Sequence, residues 1–135
     1  MVQYSRSTAW RSMLLSLLSL RLLSTEALSP IKVDPGTGFF IDSDGRARIF
    51  HGVNAVEKLP PFYPALNGFD PVRSLSDRDA ANLASWGFNV VRLGVLWQGV
   101  VPNASGAIDH SYLAAVQELV STLARHGIYL SLIHI

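Results

Sequence analysis

A helix that stops at a glycine and passes at once into an apolar run occurs twice in this chain, at Gly87 and at Gly127, forty residues apart. That unit constrains the fold more than any other feature, because strands joined by helices run parallel and bring their C-terminal ends to one face. Ser76 with Asp79 three residues on reads as an N-cap close to a capping box. The helix then runs through Ala80, Leu83 and Ala84 to Gly87. Trp86 falls on its apolar side and is expected in the core. The strand Phe88 to Leu93 follows. Asp109 caps a second helix, whose Tyr112, Leu113, Val116, Leu119, Val120 and Leu123 recur at three- and four-residue steps. After Gly127, Ile128 to Ile133 reads as another buried strand. With Ile49 to Asn54 ahead of them, these segments give the order strand, helix, strand, helix, strand.

Two architectures fit that order, the (β/α)8 barrel and the open doubly wound sheet. No G-x-G-x-x-G follows the first strand and no P-loop pattern occurs, so dinucleotide and P-loop readings fall away. Gly38 to Asp42 and Arg46 to Asn54 flank Ser43-Asp44-Gly45, a hairpin signal in which Asp and Gly both tolerate positive φ. A hairpin before the first strand and long loops after the first two favour the barrel. Residues 55–75, with Pro60, Pro61, Pro64 and Pro71, are expected to be an ordered loop. The chain ends inside its third strand, and three strands cannot close a barrel. It therefore reads as the N-terminal part of a catalytic domain, residues 28–135, with a leading hairpin and about three βα units. Alone, such a piece is expected to fold poorly or to associate through its open edge.

The N-terminus points to export. Arg6 and Arg11 precede the apolar run Met13 to Leu20, and Thr25-Glu-Ala27 supplies small residues for cleavage after Ala27. Residues 1–27 are read as a signal peptide, with a short anchor or an organelle-targeting peptide as the alternatives. Asn103-Ala-Ser105 is a glycosylation sequon, consistent with secretion or a lysosomal destination. A formal net charge of +1 gives no basic footprint for nucleic acid, and the absence of cysteine excludes disulfides and cysteine-based zinc sites. The four histidines are scattered without metal-ligand spacing, so no metal and no cofactor are expected.

Arg92 is the only charge in its strand and stands near the strand's C-terminal end. A guanidinium is costly to bury unless acceptors meet it, so the strand predicts a carboxylate or another anion at its end. The alternative is an arginine reaching to the sheet rim and pairing with a structural acid. Alternation puts Phe88, Val90 and Arg92 on one face, and Gly52 and Asn54 on one face of the first strand. Asn54 is thus the better site candidate, and His51 the structural one. Lys58 overhangs that face from the following loop. Trp97, just past the second strand, is placed to stack on a sugar ring or to plug the loop. No two carboxylates occupy strand C-terminal ends, so the acid and base pair of a hydrolase is not among these residues.

Gly38-Phe-Phe-Ile-Asp42-x-x-Gly45-Arg46, Phe50-His-Gly-Val-Asn54, Lys58 with Pro60-Pro61-Phe-Tyr-Pro64, and Trp86-Gly-Phe-Asn-Val-Val-Arg-Leu-Gly-Val-Leu-Trp97 together resemble glycoside hydrolase family 5, nearest its endoglycoceramidase branch. Tyr112-Leu and His126-Gly-Ile-Tyr129 continue the likeness, which covers residues 36 to 130 or so. The resemblance implies a retaining hydrolase that cleaves the β-glycosidic bond between oligosaccharide and ceramide. Two glutamates, acid/base and nucleophile, follow the fourth and seventh strands in that family and lie beyond Ile135. Arg92 matches the arginine that holds the nucleophile ionised. Lys58 matches a loop lysine that contacts the sugar, and Asn54 matches the strand-one asparagine. Leu130-Ser-Leu-Ile-His-Ile135 departs from the family's Asp-x-His-Gln-Asp-like run, so His134 inherits no role.

The expected substrate is a glycolipid or oligosaccharide, with peripheral contact to a membrane surface in the full-length enzyme. The competing readings are a polysaccharide-cleaving relative, of cellulase or mannanase type, and a non-catalytic secreted sugar- or lipid-binding protein.

Overall fold

The computed structural model describes residues 28–104 and 106–134. The segment read as a signal peptide lies outside the described residues. A short antiparallel pair, β1 (Lys32–Val33) and β2 (Phe40–Ile41), comes first. It was not legible in the sequence: its turn is built on Asp34, whose carboxylate accepts from the Thr37 N–H, with Gly38 in the left-handed region at φ 73°. The hairpin expected around Asp44-Gly45 is a tight turn with a single bridge, Ile41 to Ala47. Only Gly45 of the two turn residues takes a positive φ, 76°.

That turn is locked by Asp42. Its side chain is buried, and its carboxylate accepts from the N–H groups of Asp44 and Arg46 and from the Nε atoms of Arg46 and Arg48 at 2.9–3.0 Å. Burial pushes the carboxyl up. The backbone and guanidinium of Arg46, then the Asp44 N–H, outweigh it and hold the value at about 2 instead of 3.8. The folded value lies below the unfolded one, so ionised Asp42 stabilises the fold above about pH 4, and that contribution is lost as pH falls toward about 2. Thermal midpoints measured against pH should fall more steeply along that limb in the wild type than in Asp42→Asn, where only the other lowered carboxylates contribute; the variant should also be less stable at pH 7. Parallel profiles for the two proteins would show that Asp42 does not hold the turn.

The rest of the described chain is β3 (Gly52–Ala55), α1 (Asp77–Ser85), β4 (Val90–Val95), α2 (Trp97–Val100), α3 (His110–Arg125) and β5 (Tyr129–His134). β3, β4 and β5 form one parallel sheet in sequential order, as the helix–glycine–strand unit requires. β4 starts at Val90 and β5 at Tyr129, just later than the Phe88 and Ile128 that their apolar runs suggest, because the first residue after each glycine closes the helix. The Phe88 N–H bonds the Leu83 carbonyl and the Ile128 N–H bonds the Leu123 carbonyl, both at 3.0 Å. Gly87 and Gly127 make this possible with φ of 83° and 72°.

Both helices start as their caps dictate. The Asp79 carboxylate accepts from the Ser76 N–H at 2.8 Å, and Asp109 accepts from the N–H groups of Ser111 and Tyr112. Trp86 corrects its expected place: α1 ends at Ser85, and the indole is 67% exposed. The helical periodicity that placed it in the core no longer applies at the C-cap. Val91 and Leu93 of β4 are buried against Ala80 and Leu83 of α1 and Leu119 and Leu123 of α3. Each such aliphatic side chain contributes roughly 1.5–3 kcal/mol on burial. This core covers one face of the sheet, and Gly52, Asn54, Arg92 and Ser131 occupy the other. Sequential parallel strands with helices on one face form the beginning of an α/β barrel wall; the described residues do not close it. No helix among them is long and apolar enough to cross a membrane.

Candidate active-site rim

The C-terminal ends of the three parallel strands, with the loops that leave them, form one rim. Register places Asn54 of β3 beside Arg92 of β4, and Arg92 beside Ser131 of β5. Arg92 is thus mid-strand and not near the C-terminal end expected of it, because β4 begins at Val90 and runs on past Leu93 to Val95. All three are exposed on the face opposite the core. Alternation along the strands placed Asn54 and Arg92 on a common kind of face; register makes them neighbours, and Ser131 joins them unforeseen. The anion expected at the end of β4 is not among the described residues, where Arg92 has neither a hydrogen-bond nor an ion-pair partner. The physical reason is that Arg92 is exposed on its face of the sheet, where no described acid reaches it, so the guanidinium is left to solvent. The alternative, a pairing with a structural acid, is also not realised among those residues.

The structural acids are engaged elsewhere. Glu57 accepts from the Leu59 N–H at 3.0 Å and from Arg73 Nε at 3.1 Å, and these bonds, in that order, hold its carboxyl below the ordinary range. Asp70 accepts from the N–H groups of Val72 and Arg73 at 2.8 and 2.7 Å, and these bonds lower it likewise. Glu57 and Asp70 therefore build the loop between β3 and α1, and it is ordered as its prolines and aromatics suggested. Lys58 stands between the two pinned residues Glu57 and Leu59, exposed, with its ammonium unpaired among the described residues.

Trp97 opens the short α2 directly after β4 and is 67% exposed, so it is available for stacking and does not plug the loop. His51 stacks on Phe88 with ring centroids 4.5 Å apart, the structural role expected of it. Asn89 secures the base of the sheet, accepting from the His51 N–H and donating to the Ile49 carbonyl at 2.9 Å each. His134 is exposed at the end of β5. No group of His, Asp or Glu among the described residues could hold a metal ion. Asn103 is exposed in the loop after α2, and Ser105 of its sequon lies outside the described residues.

A groove of about 440 Å³ follows the free edge of β3 and is lined by Val56, Phe69, Val72 and Trp86. It flanks the sheet edge, which is the position an added strand would take, and reaches the Arg92 row at Asn54. One rim feature was not legible in the sequence. Tyr112, read there only as part of an apolar stripe, is buried with its hydroxyl between two loops. It accepts from the Leu96 N–H at 3.1 Å and donates to the Phe62 carbonyl at 3.3 Å. Burial raises its phenol above the ordinary value, with the Leu96 N–H pulling the other way.

Residues 66–134 match the family model described as cellulase (glycosyl hydrolase family 5). An endoglycoceramidase of Cyanea nozakii is 40% identical over 107 residues, which is 79% of this chain and 21% of the relative. An endoglycoceramidase of Hydra vulgaris is 36% identical over 116 residues, 86% of this chain and 22% of the relative. The chain thus spans about a fifth of the length of these relatives. The crystal structure of an endogalactoceramidase superposes with a TM-score of 0.58 at 30% identity, covering 76% of this chain and 22% of that one.

Proposed function

Because the chain belongs to glycosyl hydrolase family 5, we propose that it forms the first part of a secreted retaining glycosidase that cleaves the bond between oligosaccharide and ceramide in glycosphingolipids. The observation that carries the reading is the Asn54–Arg92–Ser131 row, polar and exposed among the described residues on the sheet face opposite the helices, which in a barrel is the inner wall below the rim where such enzymes gather their chemistry. The relatives named endoglycoceramidase support the glycolipid as substrate. Arg92 meets the carboxylate nucleophile, contributed by the part of the protein beyond this chain, and keeps it ionised. Asn54 and Lys58 donate to sugar hydroxyls, and Trp97 stacks on a ring face. The acid/base and the nucleophile are glutamates outside these 135 residues, so the chain alone is inactive. Residues 1–27 direct export and are removed after Ala27, and Asn103 carries a glycan.

The description of the matching family model as cellulase favours a second reading, a polysaccharide-cleaving enzyme. One experiment separates the two. The full-length protein, collected from the medium of expressing cells and starting at Leu28, is incubated with a glycosylceramide and, separately, with a β-glucan. Release of intact oligosaccharide and free ceramide is expected, with no cleavage of the glucan. Release of single sugars only, or cleavage of the glucan alone, refutes the glycolipid assignment. Hydrolysis by the purified 135-residue chain would refute the placement of the glutamates.

A further inference from the structure

We propose that Tyr112 is a positioning residue for the substrate rim: its hydroxyl fixes the loop that carries Lys58 against the strand end that carries Trp97. The role rests on the glycosidase reading of that rim. Tyr112 sits on α3, and the core asks of that position only an apolar ring, which a phenylalanine would supply. Its hydroxyl instead takes partners from two other segments, the N–H of Leu96, next to Trp97, and the carbonyl of Phe62, four residues beyond Lys58.

The hydroxyl is itself held in place. The Tyr63 ring lies 5.9 Å from the Tyr112 ring, centroid to centroid, and Gly99 lies so close that a Cβ on it would stand 2.3 Å from Cε2 of the Tyr112 ring. The loop on the far side is also pinned, since Phe62 bonds the Leu59 carbonyl through its N–H at 2.7 Å and Leu59 bonds Glu57. Lys58 therefore sits on a stretch anchored at residues 57, 59 and 62, and only the last anchor reaches the Trp97 side. Losing the Tyr112 hydroxyl frees one rim element from the other while leaving the core ring in place. Substrate binding, which needs both elements, suffers more than the chemical step.

The test uses the full-length protein with a glycosylceramide as substrate. Tyr112→Phe should raise KM about tenfold, the equivalent of one lost hydrogen bond, and leave kcat within about twofold. The Leu96 amide should lose protection from hydrogen exchange. Gly99→Ala keeps the hydroxyl but displaces the ring, and should raise KM in the same way. An unchanged KM in Tyr112→Phe, even with faster exchange at Leu96, shows a structural bond only and overturns the proposal; so does a fall in kcat at constant KM. A wild type that does not cleave glycolipid removes the functional reading and this role with it, whereas an active wild type with an unaffected Tyr112→Phe removes this role alone.

Discussion

Arg92→Ala in the full-length protein is expected to lower kcat by about a hundred- to a thousandfold while leaving the thermal midpoint close to that of the wild type. The separation of the two effects follows from where Arg92 stands. It is exposed on the uncovered face of β4, it holds no hydrogen bond or ion pair among the described residues, and its neighbours Val91 and Leu93 fill the core without it. Its loss therefore removes little from the folded state. In the proposed site the same side chain favours the charged form of a carboxylate nucleophile, so removing it raises that carboxylate's pKa. The acidic limb of the pH–rate profile should then move to higher pH. Arg92→Lys keeps a charge but loses the planar two-pronged donor, and should recover only part of the rate. Wild-type turnover in Arg92→Ala would eliminate the assigned role.

The largest structural effect is expected at Gly52. It pairs with Val90 across the β3–β4 register, and a Cβ there would lie 1.7 Å from the Val90 carbonyl oxygen. The obstacle is backbone, which cannot swing aside as a side-chain tip does. Gly52→Ala must push β3 away from β4 and disturb the register that sets Asn54 beside Arg92. A loss of about 2–4 kcal/mol of stability is expected, with a fall in activity alongside it. Gly45→Ala is the useful contrast: that residue has a positive φ but nothing within 4 Å of its would-be Cβ. Its cost should be on the order of 1 kcal/mol. Equal thermal midpoints for the two variants would show that the close approach at Gly52 does not constrain the sheet.

The backbone of the fold was legible because its signals are local. Gly87 and Gly127 each end a helix and open a strand, and Ser76 and Asp109 each cap one. Alternation along a strand was enough to place Arg92 away from the core. Register was not legible, since it depends on how β3, β4 and β5 meet in space, and so Ser131 went unnoticed beside Arg92. Trp86 was misplaced because helical periodicity was carried one residue past the end of α1. The knot of Asp42, Arg46 and Arg48 looks in sequence like ordinary turn charges, and only the folded turn reveals a buried carboxylate. Tyr112 fits an apolar stripe so well that its hydroxyl drew no attention.

The central claim is that the face bearing Asn54, Arg92 and Ser131 becomes the inner wall of a sugar-cleaving barrel. A crystal structure of the full-length protein tests it most directly. A glutamate carboxylate contributed by the part of the protein beyond this chain should lie within hydrogen-bonding distance of the Arg92 guanidinium, about 3 Å, on the inner face just below the rim. An Arg92 that faces solvent in that structure, or pairs with a surface acid away from the rim, would contradict the account.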